Sequence, residues 1–309
     1  MFEVIVPIFG IVALGYVLTK KGIFSTASGQ GLTQFMFYIA IPAMLFQSVS
    51  STQLPDRVPW AYWLAFYAPS FLVFGSAMLS AGRLFGWRRD QQGIAGVTAS
   101  YSNMVLLGLP LLLSAYGDRA TLPLFVLLAL QSLLLFPTTI LAIEVFGAEN
   151  KNAQPLRLAV FKKLLLNPVI LSLVLGLSAN FLGYKATGTL LRLLEIIGAA
   201  APACALIALG INLAQYKIKH IHRESLYLAI LKIVIHPLLV FVACRILGVD
   251  DFWMQVAVFL AAMPCGINAF IFASNYGIKT EIVTQSIVLS TMMSVLSSAV
   301  LLGVFNPIP

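Results

Sequence analysis

Charged side chains are scarce in this 309-residue sequence: Asp, Glu, Lys and Arg make up 10% of it, against about 25% in a soluble globular domain. That scarcity excludes an ordinary water-facing surface. Cysteine is scarce too, and Cys204, Cys244 and Cys265 all fall inside apolar stretches with no metal-ligand spacing, so neither a disulfide framework nor a metal site is expected. No H-E-x-x-H, no nucleophile paired with a base and no pair of intramembrane aspartates is found, which argues against an intramembrane enzyme. No Asp lies inside an expected span, and Glu3, Glu144 and Glu195 lie near span ends, which disfavours a pump built on a buried carboxylate pair.

What is present is hydrophobicity. Sixty per cent of the residues are apolar and the mean hydropathy is +0.95. A bilayer core about 30 Å thick needs roughly 20 apolar residues per helix, and such windows recur near 2–18, 34–50, 60–82, 93–115, 121–146, 161–182, 190–213, 225–247, 253–275 and 281–305. The fold class is therefore an all-α integral membrane protein of about ten transmembrane helices. The first span has Glu3 in place of a basic leader and no convincing cleavage site, so it is expected to stay in the protein.

The net charge of +8 is explained by topology rather than by nucleic acid, because the basic residues sit in short loops and form no stripe with aromatics. Loops after odd-numbered spans carry Lys20, Lys21, Arg83, Arg88, Arg89, Lys151, Arg157, Lys162, Lys163, Lys217, Lys219, Arg223 and Lys279; loops after even-numbered ones carry Arg57, Arg119, Lys185, Arg192 and Arg245. The positive-inside rule then predicts a cytoplasmic-membrane protein with both termini outside the cytoplasm. Trp60, Trp63 and Trp253 fall at outer span ends and Trp87 at an inner one.

A nearly constant offset relates the two halves. Pro7 and Gly15 precede Pro168 and Gly176 by 161 positions, Pro42 precedes Pro202 by 160, "GRLFG" at 82–86 precedes "CRILG" at 244–248 by 162, and "SAYG" at 114–117 precedes "SNYG" at 274–277 by 160. Residues 1–146 read as one five-helix repeat, 147–160 as a cytoplasmic linker and 161–309 as a second repeat. Five spans per half is odd, so the second half enters the membrane inverted, an architecture of transporters whose site lies where interrupted helices meet.

The interruptions are legible. "YSNMVLLGLPLLLSAYG" at 101–117 sets Asn103, Gly108 and Pro110 into an apolar run, and "AAMPCGINAFIFASNYG" at 261–277 sets Pro264, Gly266 and Asn268 into its counterpart. Proline cannot donate to the carbonyl four residues back and glycine permits a bend, so the fourth and ninth spans are expected to break near these residues and to cross. Half-helix N-termini at mid-membrane suit a carboxylate. The plainer alternative is that the prolines kink packed helices while the asparagines satisfy freed carbonyls. In the eighth span Lys232 and His236 lie one turn apart before Pro237. Lys232 either attracts the anion, with His236 exchanging a proton, or snorkels to the headgroups while His236 serves a freed carbonyl.

"NMVLLGLPLLLSAYG" at 103–117, "PCGINAFIFASNYGI" at 264–278 and "FMFYIAIPAMLFQSVSS" at 35–51 together resemble the auxin efflux carrier family over essentially the whole chain. The resemblance implies two inverted five-helix repeats as in bile-acid sodium symporters, elevator-like alternation of access, and a carboxylate site at the crossover with Asn103, Pro110 and Asn268. Plant members carry a proline near the position of Ala269, where this chain has only Pro264 before the break, so its ninth helix is expected to open at a different residue. The chain also lacks the long cytoplasmic loop of many plant members, which favours a compact bacterial-type relative handling a small carboxylate such as malate or malonate over an auxin carrier. No cofactor is called for, coupling to Na+ or H+ is left undetermined, a homodimer is compatible, and a membrane sensor acting through a partner remains the alternative to a carrier.

Overall fold

The computed structural model describes residues 2–52, 59–146, 168–216 and 220–305. The 147–160 linker, the start of the sixth expected span, and Arg57, Lys151, Arg157, Lys162, Lys163, Lys217 and Lys219 fall outside the described residues. Fifteen α-helices follow in chain order: α1 (Phe2–Lys20), α2 (Thr26–Phe35), α3 (Ile41–Ser51), α4 (Trp60–Phe85), α5 (Arg89–Ser100), α6 (Leu109–Tyr116), α7 (Thr121–Phe146), α8 (Pro168–Phe181), α9 (Gly188–Ala199), α10 (Ala201–Gln215), α11 (Arg223–Ile230), α12 (His236–Ile246), α13 (Asp251–Ala261), α14 (Ile267–Tyr276) and α15 (Thr280–Phe305). Seven helical stretches among the described residues are long and apolar enough to cross a membrane. Segments such as Asp251–Ala261 fall short of that length because the helix to which they belong is interrupted.

Local chemistry sets several of these boundaries. Ser25 and Ser28 cap α2 reciprocally, each hydroxyl accepting the other's backbone N–H at 3.2 Å. Asp250 opens α13 by accepting from the N–H groups of Phe252 and Trp253. Gly86 and Gly277 end α4 and α14 with left-handed backbone, which costs a residue without Cβ nothing.

Three prolines share one solution. Pro42, Pro110 and Pro237 each stand second in an α-helix that follows a five-residue π-turn, at Met36–Ala40, Met104–Gly108 and Leu231–Ile235 respectively. The wider turn gives the pyrrolidine ring room beside the preceding carbonyls, so the helix continues through a residue that would otherwise interrupt it. This corrects the sequence expectation for the fourth span: the chain is helical through Gly108 and Pro110, and the interruption lies upstream at Tyr101–Asn103.

The helices form two groups joined through one shared apolar cluster. α1 lies along α10 and α3 along α8, with α2 and α9 filling in beside them. α4 packs on α5 and α12, α5 on α7, α11 on α15, α12 on α13, and α14 on α15. The first group is closely apposed. A Cβ on Gly15 would stand 2.6 Å from the Ile207 carbonyl oxygen, one on Gly210 would run into the Val12 carbonyl, and one on Gly176 would stand 3.0 Å from Val49 Cβ. Small residues at such crossings let helix backbones approach where water is absent and cannot drive association.

Aromatic and charged contacts sort the loops onto two ends. Tyr62 stacks edge-on with Trp253 at 4.8 Å, and Arg119 lies 4.3 Å from the Phe252 ring. At the opposite end Lys279 lies over Trp87 at 5.2 Å and Phe85 meets Tyr227 at 5.6 Å.

Candidate functional site

The two interruptions meet. Asn103 N donates to the Pro264 carbonyl at 2.9 Å and Gly266 N donates to the Tyr101 carbonyl at 2.9 Å, making a single antiparallel bridge between Ser102 and Cys265. Backbone freed from a helix in an apolar interior must find partners or lose several kcal/mol per group. Here each interrupted segment satisfies part of the other.

The span after each broken one supplies further partners. From α7, Gln131 Nε2 donates to the Ser102 carbonyl at 2.9 Å and its Oε1 accepts from Ser102 N at 3.2 Å. From α15, Ser290 Oγ accepts from Cys265 N at 3.0 Å. Neither role is visible in the sequence, where nothing local says which distant backbone group Gln131 or Ser290 will meet. The Gln131 amide is engaged with backbone through both its oxygen and its nitrogen, so it serves the packing of the break.

Asn103 stands at the start of the π-turn, its Oδ1 accepting from Leu106 N at 3.2 Å. Its Nδ2 is buried and has no hydrogen-bond partner among the described residues, and the same holds for Ser102 Oγ. A buried unpaired donor costs about 1–3 kcal/mol, and it is the kind of group a bound oxyanion would satisfy. Asn268, half-buried in the first turn of α14, donates to Tyr101 OH at 3.0 Å, and Tyr101 OH is 2.8 Å from Ser132 Oγ.

Gly266 opens α14, so the ninth span resumes just before Ala269 rather than at it. A Cβ there would collide with the Tyr101 ring, which is why this position holds the residue without one. Gly108 has ordinary helical backbone, and a Cβ on it would come within 3.0 Å of Leu260 Cδ2 and 3.2 Å of Met263 Cγ. Its smallness serves close approach to the other broken helix, not the bend expected from the sequence. Pro110 lies in α6 beyond the break, while Pro264 lies in the break itself and contributes its carbonyl.

Lys232 and His236 are both fully buried. The Lys232 ammonium does not reach toward a membrane surface: it donates to the carbonyl of Ala261, the last residue of α13, and lies 3.2 Å from His236 Nδ1. His236 Nε2 is 3.0 Å from Ser70 Oγ on α4. The structure therefore brings Asn103, Gly108, Pro264, Gly266 and Asn268 to one crossing, ties Lys232 to the end of the helix leading into it, and leaves Pro110 in α6 beyond it. The crossing lies where the two helix groups touch, since α10 packs on the π-turn at Met104–Gly108 and α1 on α6.

Sequence comparison adds relatives to this geometry. The profile described as membrane transport protein matches residues 1–302. A "Putative malonate transporter" of Rhizobium meliloti (strain 1021) is 30% identical over 298 residues, covering 94% of this chain and 91% of that protein. Auxin efflux carrier component 8 of Arabidopsis thaliana is 23% identical over 94% of this chain and 93% of its own length. The lysosomal cholesterol signaling protein of Mus musculus is 23% identical over 95% of this chain, which spans only 36% of that longer protein.

Proposed function

Since this chain belongs to the membrane transport protein family, together with the auxin efflux carriers, we propose that it is a secondary carrier for a small organic carboxylate. Members of the family are transporters and not enzymes. The observation that carries the carboxylate reading is the crossing itself: two half-helices begin beside one another in the apolar interior, and the unpartnered Asn103 Nδ2 is buried between them. A small dicarboxylate such as malonate or malate suits a site with few polar groups, and the name of the Rhizobium meliloti relative supports it.

Ten spans in two inverted repeats is the architecture this reading assumes, and contacts between the halves support it. Gly15 packs on Ile207 and Gly210; shifting all three by 161 positions gives Gly176 on Phe46 and Val49, which is also a contact. The antiparallel bridge at the crossing carries a local two-fold of the same kind. An elevator-type motion is favoured by the division into two helix groups, with the crossing on one of them and against the other.

Purified protein in liposomes should take up labelled malonate or malate. Asn103→Ala and Asn268→Ala should each cut that flux by about 10- to 100-fold, the loss of a hydrogen bond to a charged ligand. Asn103→Asp, which keeps an oxygen for Leu106 N but offers no amide donor, should be equally inactive. Unchanged flux in all three variants would sink the crossover site. A second reading, a sensor acting through a partner, is favoured only by the name of the mouse relative; saturable ligand binding without any flux would select it.

A further inference from the structure

A buried hydrogen-bond chain runs from α4 to the break after α13. Ser70 Oγ donates to the Phe66 carbonyl at 2.8 Å and is 3.0 Å from His236 Nε2. His236 Nδ1 is 3.2 Å from the Lys232 ammonium, which also donates to the Ala261 carbonyl. With Lys232 protonated, every link has a donor and an acceptor. The ammonium donates to Nδ1 and to the carbonyl, the neutral imidazole donates its Nε2 proton to Ser70 Oγ, and the hydroxyl donates to Phe66. Among the described residues no carboxylate side chain is buried, so the partners of a charged Lys232 are the Ala261 carbonyl and His236 and not an ion pair.

The last turn of a helix presents unpaired carbonyls and a partial negative charge. In transporters with interrupted helices, such ends are where a coupling cation is held. At the end of α13 that place is filled by a side chain. We propose that the Lys232 ammonium is a resident cation, tethered where a mobile metal cation would otherwise bind, so that transport needs no co-transported sodium. His236 is the positioning residue that holds the ammonium on the Ala261 carbonyl.

A tethered ammonium is present at high effective concentration at all times, whereas a metal cation must be gathered from solution on every cycle. Removing it leaves a carbonyl unpaired beside a space the size of a lysine side chain, open to a small cation. Only the flux arm of the test rests on the carrier reading.

In proteoliposomes of the wild-type protein at clamped potential, malonate uptake should change by less than about twofold when choline replaces all sodium; a loss of about tenfold or more overturns the proposal. Separately, the melting temperature of detergent-solubilised Lys232→Ala should rise saturably with methylammonium or sodium chloride relative to choline chloride, and that of the wild type should not. A variant that folds without any such rise, or a wild-type protein stabilised saturably by sodium, also overturns it. The wild-type arms decide the question even where Lys232→Ala does not fold. His236→Leu should acquire part of the cation response while His236→Gln, which keeps an acceptor, should not; an equal response in both removes the positioning role. A wild-type protein that moves no carboxylate at all would refute the carrier reading and leave the melting experiment to judge the cation site.

Discussion

At the scale of a single residue, Gln131 does for Ser102 what a neighbouring strand does in a sheet, pairing its N–H and its C=O together. Replacing it by leucine would unpair both groups in an interior without water, at about 1–3 kcal/mol for each. Gln131→Leu should therefore lower the melting temperature in detergent at acidic pH more than Gln131→Glu, whose neutral carboxyl still accepts from Ser102 N and donates to its carbonyl; equal melting of the two would show that the pairing contributes nothing. The polarity of Gln131 inside an apolar run was legible in the sequence, but its partner 29 positions away was not, because nothing in the local pattern says which backbone will lack a hydrogen bond. The same limit applies to Asn268. Its place in the crossing follows from its spacing to Pro264 and Gly266, whereas its bond to Tyr101 depends on how two distant segments meet. Lys232 is the clearest case: a buried ammonium reads equally well as a ligand for substrate or as a snorkelling side chain until the Ala261 carbonyl is seen beside it.

At the scale of elements, the sequence marked the right segments and misplaced one break. Pro110 reads as a helix breaker, yet the π-turn before it lets the helix run on, and the same arrangement recurs before Pro42 and Pro237. A π-turn has no signature of its own beyond the proline that follows, so composition alone assigns the interruption to the wrong residue. Glycines show the opposite behaviour, because their meaning depends on what crosses them. Gly10 has nothing within 4 Å of a would-be Cβ, while one on Gly210 would meet the Val12 carbonyl and stand 3.0 Å from Gly15 Cα. Gly10→Ala should leave expression and melting unchanged or raise stability by about 0.5–1 kcal/mol, through the smaller freedom of the unfolded chain. Gly210→Ala must push α1 off α10, and two backbones in contact have no flexible side chain to yield. Its folded yield after detergent extraction should fall sharply against the Gly10→Ala control; comparable yields would mean the two helices have slack that their spacing does not suggest.

At the scale of the whole molecule, the loops divide between two ends, with Trp253, Phe252 and Arg119 at one and Trp87, Tyr227 and Lys279 at the other. The geometry groups the ends without saying which faces the cytoplasm. Charge does that. Among the described basic residues in loops and helix ends, Lys20, Lys21, Arg83, Arg88, Arg89, Arg223 and Lys279 are expected on the side of Trp87 by chain alternation, and Arg119, Lys185, Arg192 and Arg245 on the side of Trp253. Basic residues in short loops are retained on the cytoplasmic side during insertion, so the Trp87 end should face inward and the N-terminus outward. The native thiols interfere little with a labelling test, because Cys244 and Cys265 are buried and Cys204 is partly so. In intact cells a membrane-impermeant maleimide should label Asp118→Cys and leave Lys21→Cys untouched until the membrane is permeabilised. Labelling in the reverse order would invert the molecule and turn the crossing, the Lys232 chain and any direction of carboxylate movement inferred from them to face the other compartment.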